Sequence, residues 1–251
     1  MGRMSGRDLM TLEKRDGRWW LVAGRRPLLG VLWLVSMIDA ILFDFDGLMV
    51  DSEPHSIASW RAVLRERGVE LDAATLDRLL GLRLDETSRL LVERFSLTAS
   101  PAELGAAKTD YQIAHLAGNV RAMPGLKSLL DAIDRRGLRK AIASSGMRRY
   151  LEAALQVVGL ASRFSVIISG EDVARGKPAP DVFLEAARRL GCSPVACLVL
   201  EDAPNGLQAA KAAGIRVIAI PNDQSRQLDL SAADWQLPSL AAVAELLPSI
   251  L

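Results

Sequence analysis

Short apolar runs recur along this chain, separated by stretches in which apolar and polar positions alternate at a helical period. Ile38-Asp39-Ala40-Ile41-Leu42-Phe43 is one such run, and it ends on acids. Lys140-Ala141-Ile142-Ala143, Ser165-Val166-Ile167-Ile168, Cys197-Leu198-Val199-Leu200 and Ile215-Arg216-Val217-Ile218-Ala219-Ile220 have the same character. Runs of this length suit strands buried on both faces of a parallel sheet. Between them lie amphipathic stretches at 125–136, 147–158, 180–190 and 204–213. Gly137, Gly159, Gly191 and Gly214 each fall just past a helix, where a left-handed terminal residue is wanted. This alternation predicts an α/β fold, a Rossmann-like parallel sheet with helices on both faces.

One stretch breaks the pattern. From 53 to 118 only helical periods occur, as in Ile57/Trp60/Leu64, Leu76/Leu79/Leu80, Leu90/Leu91/Phe95 and Leu104/Ala107/Tyr111. The expected organisation is a core domain of residues 37–52 and 119–251, interrupted by an inserted α-helical cap domain at 53–118. No internal repeat or low-complexity tract is visible.

Composition adds limits. The 251 residues are 50% hydrophobic and 24% charged, enough for a packed core. A net charge of +1 provides no field to gather nucleic acid or acidic lipid, so neither is expected as a partner. Cys192 and Cys197 form neither a disulfide framework nor a metal-binding Cys-x-x-Cys pair, which suits a reduced cytoplasmic setting. The charge is unevenly spread. Residues 1–36 hold seven Lys/Arg against three acids and three of the five tryptophans, whereas the remaining residues are net acidic. The apolar run Leu28–Met37 spans only about 15 Å as a helix, half a bilayer core. Residues 1–36 therefore read as an N-terminal extension outside the catalytic fold, with Met37 placed as an ordinary initiator.

The chemistry gathers at strand ends, where open α/β sheets bind ligands. Asp44 and Asp46 follow the first strand, and Gly47 lets the backbone turn behind them. Ser144-Ser145-Gly146 follows the next, offering hydroxyls and free N–H groups at a helix start. Lys177 lies in a loop held by Pro178 and Pro180, and Glu201-Asp202 ends a further strand. Each has an ordinary reading: acids and serines cap helices, and lysines face solvent. Together, however, crowded carboxylates call for a hard divalent cation, Mg²⁺, while Ser and Lys suit phosphate oxygens. An aspartate near both would accept a phosphoryl group, and a second one two residues on could serve as general acid and base.

Asp44-Phe45-Asp46-Gly47-Leu48, Ser144, the stretch Lys177-Pro178-Ala179-Pro180-Asp181 and the run Leu200-Glu201-Asp202-Ala203-Pro204-Asn205-Gly206 resemble the four motifs of the haloacid dehalogenase superfamily. The similar branch carries a helical cap after the first strand and includes sugar-phosphate phosphatases and β-phosphoglucomutase. The resemblance implies that Asp44 is the nucleophile and Asp46 the general acid and base. It also implies that Ser144, Ser145 and Lys177 bind the phosphoryl group. Mg²⁺ would be held by Asp44, the Asp46 carbonyl, Asp202 and Glu201, the last directly or through water. Ala203 stands where many relatives have a hydroxyl residue. An acid at position 46 argues against carbon–halogen cleavage.

The expected substrate is a small phosphomonoester, and the protein is expected to act as a monomer. Mutases of this branch carry a cap arginine and a histidine after the first motif. Here His55 and Arg83, the possible substrate-binding residues of the cap, are each offset by about one position, and Ser56 occupies the histidine place. Lys108 is a further candidate cap contact. A phosphatase is favoured over a β-phosphoglucomutase-type mutase. A phospho-accepting receiver or a sugar-phosphate-binding non-enzyme is more remote, because receivers have no such insertion and every core chemical position is filled.

Overall fold

In the computed structural model the described residues are 11–15, 18–22, 38–79 and 82–250. Strand β1 (Thr11–Arg15) and β2 (Arg18–Val22) precede the central strand β3 (Ala40–Phe43). The chain then leaves through β4 (Val50–Asp51) and runs through four helices. These are α1 (Glu53–Arg65), α2 (Ala73–Leu79), α3 (Leu84–Phe95) and α4 (Pro101–Ala114), and β5 (Arg121–Ala122) follows them. The remainder is α5 (Leu126–Arg135), β6 (Arg139–Ala143), α6 (Arg148–Val157), β7 (Ile167–Ile168), α7 (Asp181–Leu190), β8 (Cys197–Glu201), α8 (Pro204–Ala212), β9 (Arg216–Ala219), β10 (Trp235–Gln236) and α9 (Leu240–Ile250).

The sheet order is β2-β1-β10-β9-β8-β3-β6-β7, and every pairing except β1–β2 is parallel. Because strand side chains alternate between faces, β3 feeds two separate cores. Ile41 and Phe43 pack with Leu129, Leu130, Leu151 and Val243 on one side. Ala40 and Leu42 pack with Phe183, Ala186 and Leu207 on the other. All four β3 side chains are fully buried, as expected of a run apolar at every position. Phe43 also meets Phe164 edge-on, with ring centroids 5.8 Å apart.

The predicted helices are all present within two residues of their expected ends. Gly137, Gly159, Gly191 and Gly214 have φ between +64° and +70°, the left-handed stops that their positions implied. The short β4/β5 ribbon, β10 and α9 were not foreseen. A two-residue strand has no period to read.

The insertion forms its own layer around a third core of Trp60, Val63, Leu64, Leu91 and Leu104. It joins the sheet domain through β4 and β5, which pair antiparallel at Val50↔Ala122 and Asp51↔Arg121. The backbone N–H of Met123 donates to the Met49 carbonyl at 2.9 Å, so the outgoing and returning strands are fastened together.

At the other end of the molecule, β1 and β2 form a hairpin that joins the sheet through Thr11↔Gln236. Part of the segment expected to stand outside the catalytic fold therefore extends its sheet, with three strands between it and β3. The Leu28–Met37 run, with the initiator reading at Met37, lies outside the described residues. Among those described, no helix is long and apolar enough to cross a membrane.

Gly125 opens α5 at φ +84°, and an added Cβ would lie 2.5 Å from the backbone nitrogen of Ala241. Gly125→Ala should therefore cost about 1–3 kcal/mol in urea unfolding by separating α5 from α9. An unchanged midpoint would contradict this packing.

Candidate active site

Four neighbouring strands, β8, β3, β6 and β7, end side by side, and each sends one part of the sequence-predicted chemistry into the same cleft. The Asp44 N–H donates to the Leu200 carbonyl at 3.0 Å, which ties the start of the first acid loop to the end of β8. Asp44, Glu201 and Asp202 are buried, with carboxylate oxygens within 4.8 Å of one another. Lys177, only 5% exposed, donates from Nζ to Asp44 Oδ1 and, at 2.7 Å, to Glu201 Oε1. Glu201 Oε2 accepts the N–H groups of Asp202 and Ala203, each at 2.8 Å. Both Glu201 oxygens are thus engaged by the protein itself. Asn222 donates from Nδ2 to Asp202 Oδ2 at 2.8 Å and to the Gly47 carbonyl at 3.1 Å.

This packing has electrostatic consequences. Burial pushes the Asp44 carboxyl up from 3.8 to about 7, with Glu201 and Asp46 adding to the effect and Lys177 opposing it. Burial, then Glu201 and Asp44, raises Asp202 well above its ordinary value. Burial works against the Lys177 ammonium, but Asp44 and Glu201 outweigh it and raise its pKa. Three acids facing one ammonium leave negative charge uncompensated, and every donor in the cluster is a hard oxygen. That donor set fits a divalent cation such as Mg²⁺.

Asp46 is held separately. The hydroxyls of Ser52 and Tyr150 donate to its Oδ1 at 2.6 and 2.7 Å. Ser144, 1% exposed, places its Oγ at the start of the turn into α6, where it accepts the Gly146 N–H at 3.0 Å. Ser145 lines the same cleft, whose volume is about 520 Å³.

The cap contributes the opposite wall, including Glu53, Ser56, Trp60, Lys108 and Gln112. Arg83 reaches across from the cap to the Lys177 loop. Its guanidinium carbon lies 2.4 Å from where a Gly176 Cβ would be, so a side chain there would push the guanidinium away from this loop. Lys108 is buried, donates to Gln112 Oε1 at 2.6 Å, and lies 5.7 Å from the Trp60 ring centroid. Burial pushes it down to about 8, with Asp46 and Glu53 opposing.

His55 does not line the cleft. Instead it is buried, 4% exposed, with Nε2 against the Gln112 carbonyl at 2.8 Å, so it braces α1 on α4. One residue of helix is about 100° of rotation, and that turn puts Ser56 on the cleft in its place. Asp44, Asp46, Ser144, Ser145, Lys177, Glu201, Asp202 and Arg83 all reach the cleft.

Ser52, Tyr150 and Asn222 were missed as site residues. Ser52 lies six positions from Asp46, so the signal was present in the first motif. Tyr150 is 104 positions away, and nothing local marks it.

A model of the haloacid dehalogenase-like hydrolases matches residues 41–220. Protein CbbY of Rhodobacter capsulatus is 35% identical over 221 residues, covering 82% of this chain and 96% of its own. Fructose-1-phosphate phosphatase YqaB of Escherichia coli is 31% identical over 180 residues, or 72% of this chain and 95% of that protein. The crystal structure of CbbY from Rhodobacter sphaeroides, solved with phosphate, superposes with a TM-score of 0.76 at 31% identity. It covers 85% of this chain and 99% of that one. The chain belongs to the haloacid dehalogenase-like hydrolases, and within them it is a phosphoric monoester hydrolase.

A Cβ on Gly206 would fall 1.6 Å from Glu201 Oε1. Gly206→Ala should displace that carboxylate and with it Lys177, lowering phosphatase kcat about a hundredfold in a folded protein. Wild-type turnover in this variant would show that the Glu201 position is not needed.

Proposed function

We propose that the chain is a Mg²⁺-dependent phosphatase that hydrolyses a small phosphomonoester, a sugar phosphate, through an aspartyl-phosphate intermediate. The observation that carries this reading is the buried Lys177–Asp44–Glu201–Asp202 cluster with Asp46 two residues beyond the nucleophile.

In the first step a carboxylate oxygen of Asp44 bonds to phosphorus as the bond to the leaving oxygen breaks, and Asp46 gives that oxygen its proton. In the second, Asp46 takes a proton from water as the water oxygen bonds to phosphorus and the Asp44 oxygen departs. Lys177, Ser144 and Ser145 hold the non-bridging phosphoryl oxygens, and Lys177 also keeps Asp44 positioned. Asp44, the Asp46 carbonyl and Asp202 would hold Mg²⁺, with Glu201 contributing mainly charge and orientation because its oxygens are already engaged. When bound, the cation offsets the negative charge of the carboxylates and the phosphoryl group.

A sugar phosphate is supported by the relative named as a fructose-1-phosphate phosphatase and by the polar cap residues Glu53, Lys108 and Gln112 on the cleft. Hydrolysis rather than mutase chemistry is supported by Ser56 at the cleft position where the mutases carry histidine. The two free, buried cysteines suit a reducing, cytoplasmic setting, and a monomer is the expected state for a capped enzyme of this size.

Purified protein with Mg²⁺ should hydrolyse an aryl phosphate, and Asp44→Asn should lower kcat by about a thousandfold or more. Undiminished turnover would sink the covalent mechanism. A phosphate-release screen over sugar and nucleotide monophosphates should run beside a β-glucose 1-phosphate isomerisation assay. Isomerisation that outpaces hydrolysis would replace the phosphatase reading with the mutase one.

Protons must leave Asp44 and Asp202 before a cation binds. Added Mg²⁺ should therefore raise the melting temperature more at about pH 8 than at about pH 5. Without metal, the Asp44 contribution to stability should be full below 3.8 and be lost as pH rises through about 7. Equal Mg²⁺ effects at both pH values would contradict these assignments.

A further inference from the structure

Asp46 carries two hydrogen bonds that the reaction scheme leaves unexplained, and both fall on the same oxygen. Ser52 Oγ reaches Oδ1 at 2.6 Å, and the Tyr150 hydroxyl reaches it at 2.7 Å. Tyr150 stands in the first turn of α6, 4% exposed, with its ring edge-on to Phe45 at a centroid separation of 6.1 Å and an interplanar angle of 89°. The ring belongs to the main core, while the residue also borders the cleft. Burial, followed by the charge of Asp46, raises the phenol well above its ordinary value, so it remains a donor.

A carboxylate that accepts hydrogen bonds from two hydroxyls on one oxygen has its plane fixed and its charge drawn to that oxygen. Its other oxygen is then the one suited to carry a proton to the leaving group. We infer that Tyr150 is a positioning residue for the acid–base step, acting through Asp46 Oδ1 so that Asp46 Oδ2 delivers and later recovers the proton. As that proton passes from Oδ2 to the departing oxygen, Asp46 becomes a carboxylate and the bond from Tyr150 strengthens. The hydroxyl therefore helps most where the leaving group most needs protonation. The inference rests on Asp46 being the general acid.

The experiment compares kcat/KM of wild type, Tyr150→Phe and Asp46→Asn on 4-nitrophenyl, phenyl and 4-methoxyphenyl phosphate with Mg²⁺ present. This ratio reports the phosphorylation step. The spread across substrates is independent of how much of each preparation is folded, so a loss of stability cannot mimic the result. Tyr150→Phe keeps the ring against Phe45. It should lose about twofold on the nitrophenyl ester and about tenfold or more on the poorer leaving groups, as expected when a donor to a charged group is removed. An equal loss on all three esters, or none, would overturn the role of Tyr150. Asp46→Asn separates the two levels of the argument. If it shows the leaving-group trend, the general-acid reading stands whichever way Tyr150 falls. If it shows none, that reading fails, and the inference fails with it.

Discussion

Burying three carboxylates within 4.8 Å of one another around one ammonium is the arrangement to which the rest of this molecule answers. Charges taken out of water are costly unless neighbours replace the lost hydration. Lys177 links Asp44 to Glu201, the backbone of Asp202 and Ala203 receives the other Glu201 oxygen, and Asn222 holds Asp202. Each contact demands something of the chain nearby. Gly206 must lack a side chain to leave room for Glu201. Gly47 must turn at φ +77°, and a Cβ there would come 2.6 Å from Asp202 Oδ2. Burial and mutual repulsion hold Asp44 and Asp202 above the usual carboxylate range, so the cluster keeps protons that a bound cation would displace.

The parallel sheet makes this crowding possible. Neighbouring parallel strands end on the same edge, so residues far apart in sequence meet without any long loop to bring them together. The strands themselves are buried on both faces and anchored in two cores that the alternation along β3 divides. The site therefore sits on a rigid frame. The cap, with its own core and its two-stranded attachment, supplies the opposite wall and sends Arg83 back to Gly176. The buried acid–lysine cluster and the polar residues of the insertion thus face a single cleft from opposite sides.

Strand and helix positions were legible because period and apolar runs are local signals, and the left-handed glycines marked where helices stop. Asp44, Lys177, Glu201 and Asp202 were legible for a similar reason. Acids that close an apolar strand have no ordinary place in a core, Lys177 stands in a loop stiffened by Pro178 and Pro180, and these groups with Ser144 fit a single chemistry. The cap was harder to read. The offset between His55 and Ser56 is a rotation of one helical position, and only packing against α4 decides which of the two faces the cleft. Nothing near Tyr150 in the sequence marks it, because the hydrogen bond at its tip depends on where α6 lies relative to the first loop.

The sequence by itself determined the alternating fold, the inserted helical cap and the residues of the four motifs, since each is written in a local pattern or beside the strand that presents it. Only the tertiary structure decided that His55 braces the cap while Ser56 meets the cleft. It alone revealed that both Glu201 oxygens already accept hydrogen bonds from Lys177 and backbone N–H groups, and that Ser52 and Tyr150 share one oxygen of Asp46. It also decided that β1 and β2 extend the sheet edge. These are contacts between segments, fixed by packing and strand order, and no local pattern of residues encodes them.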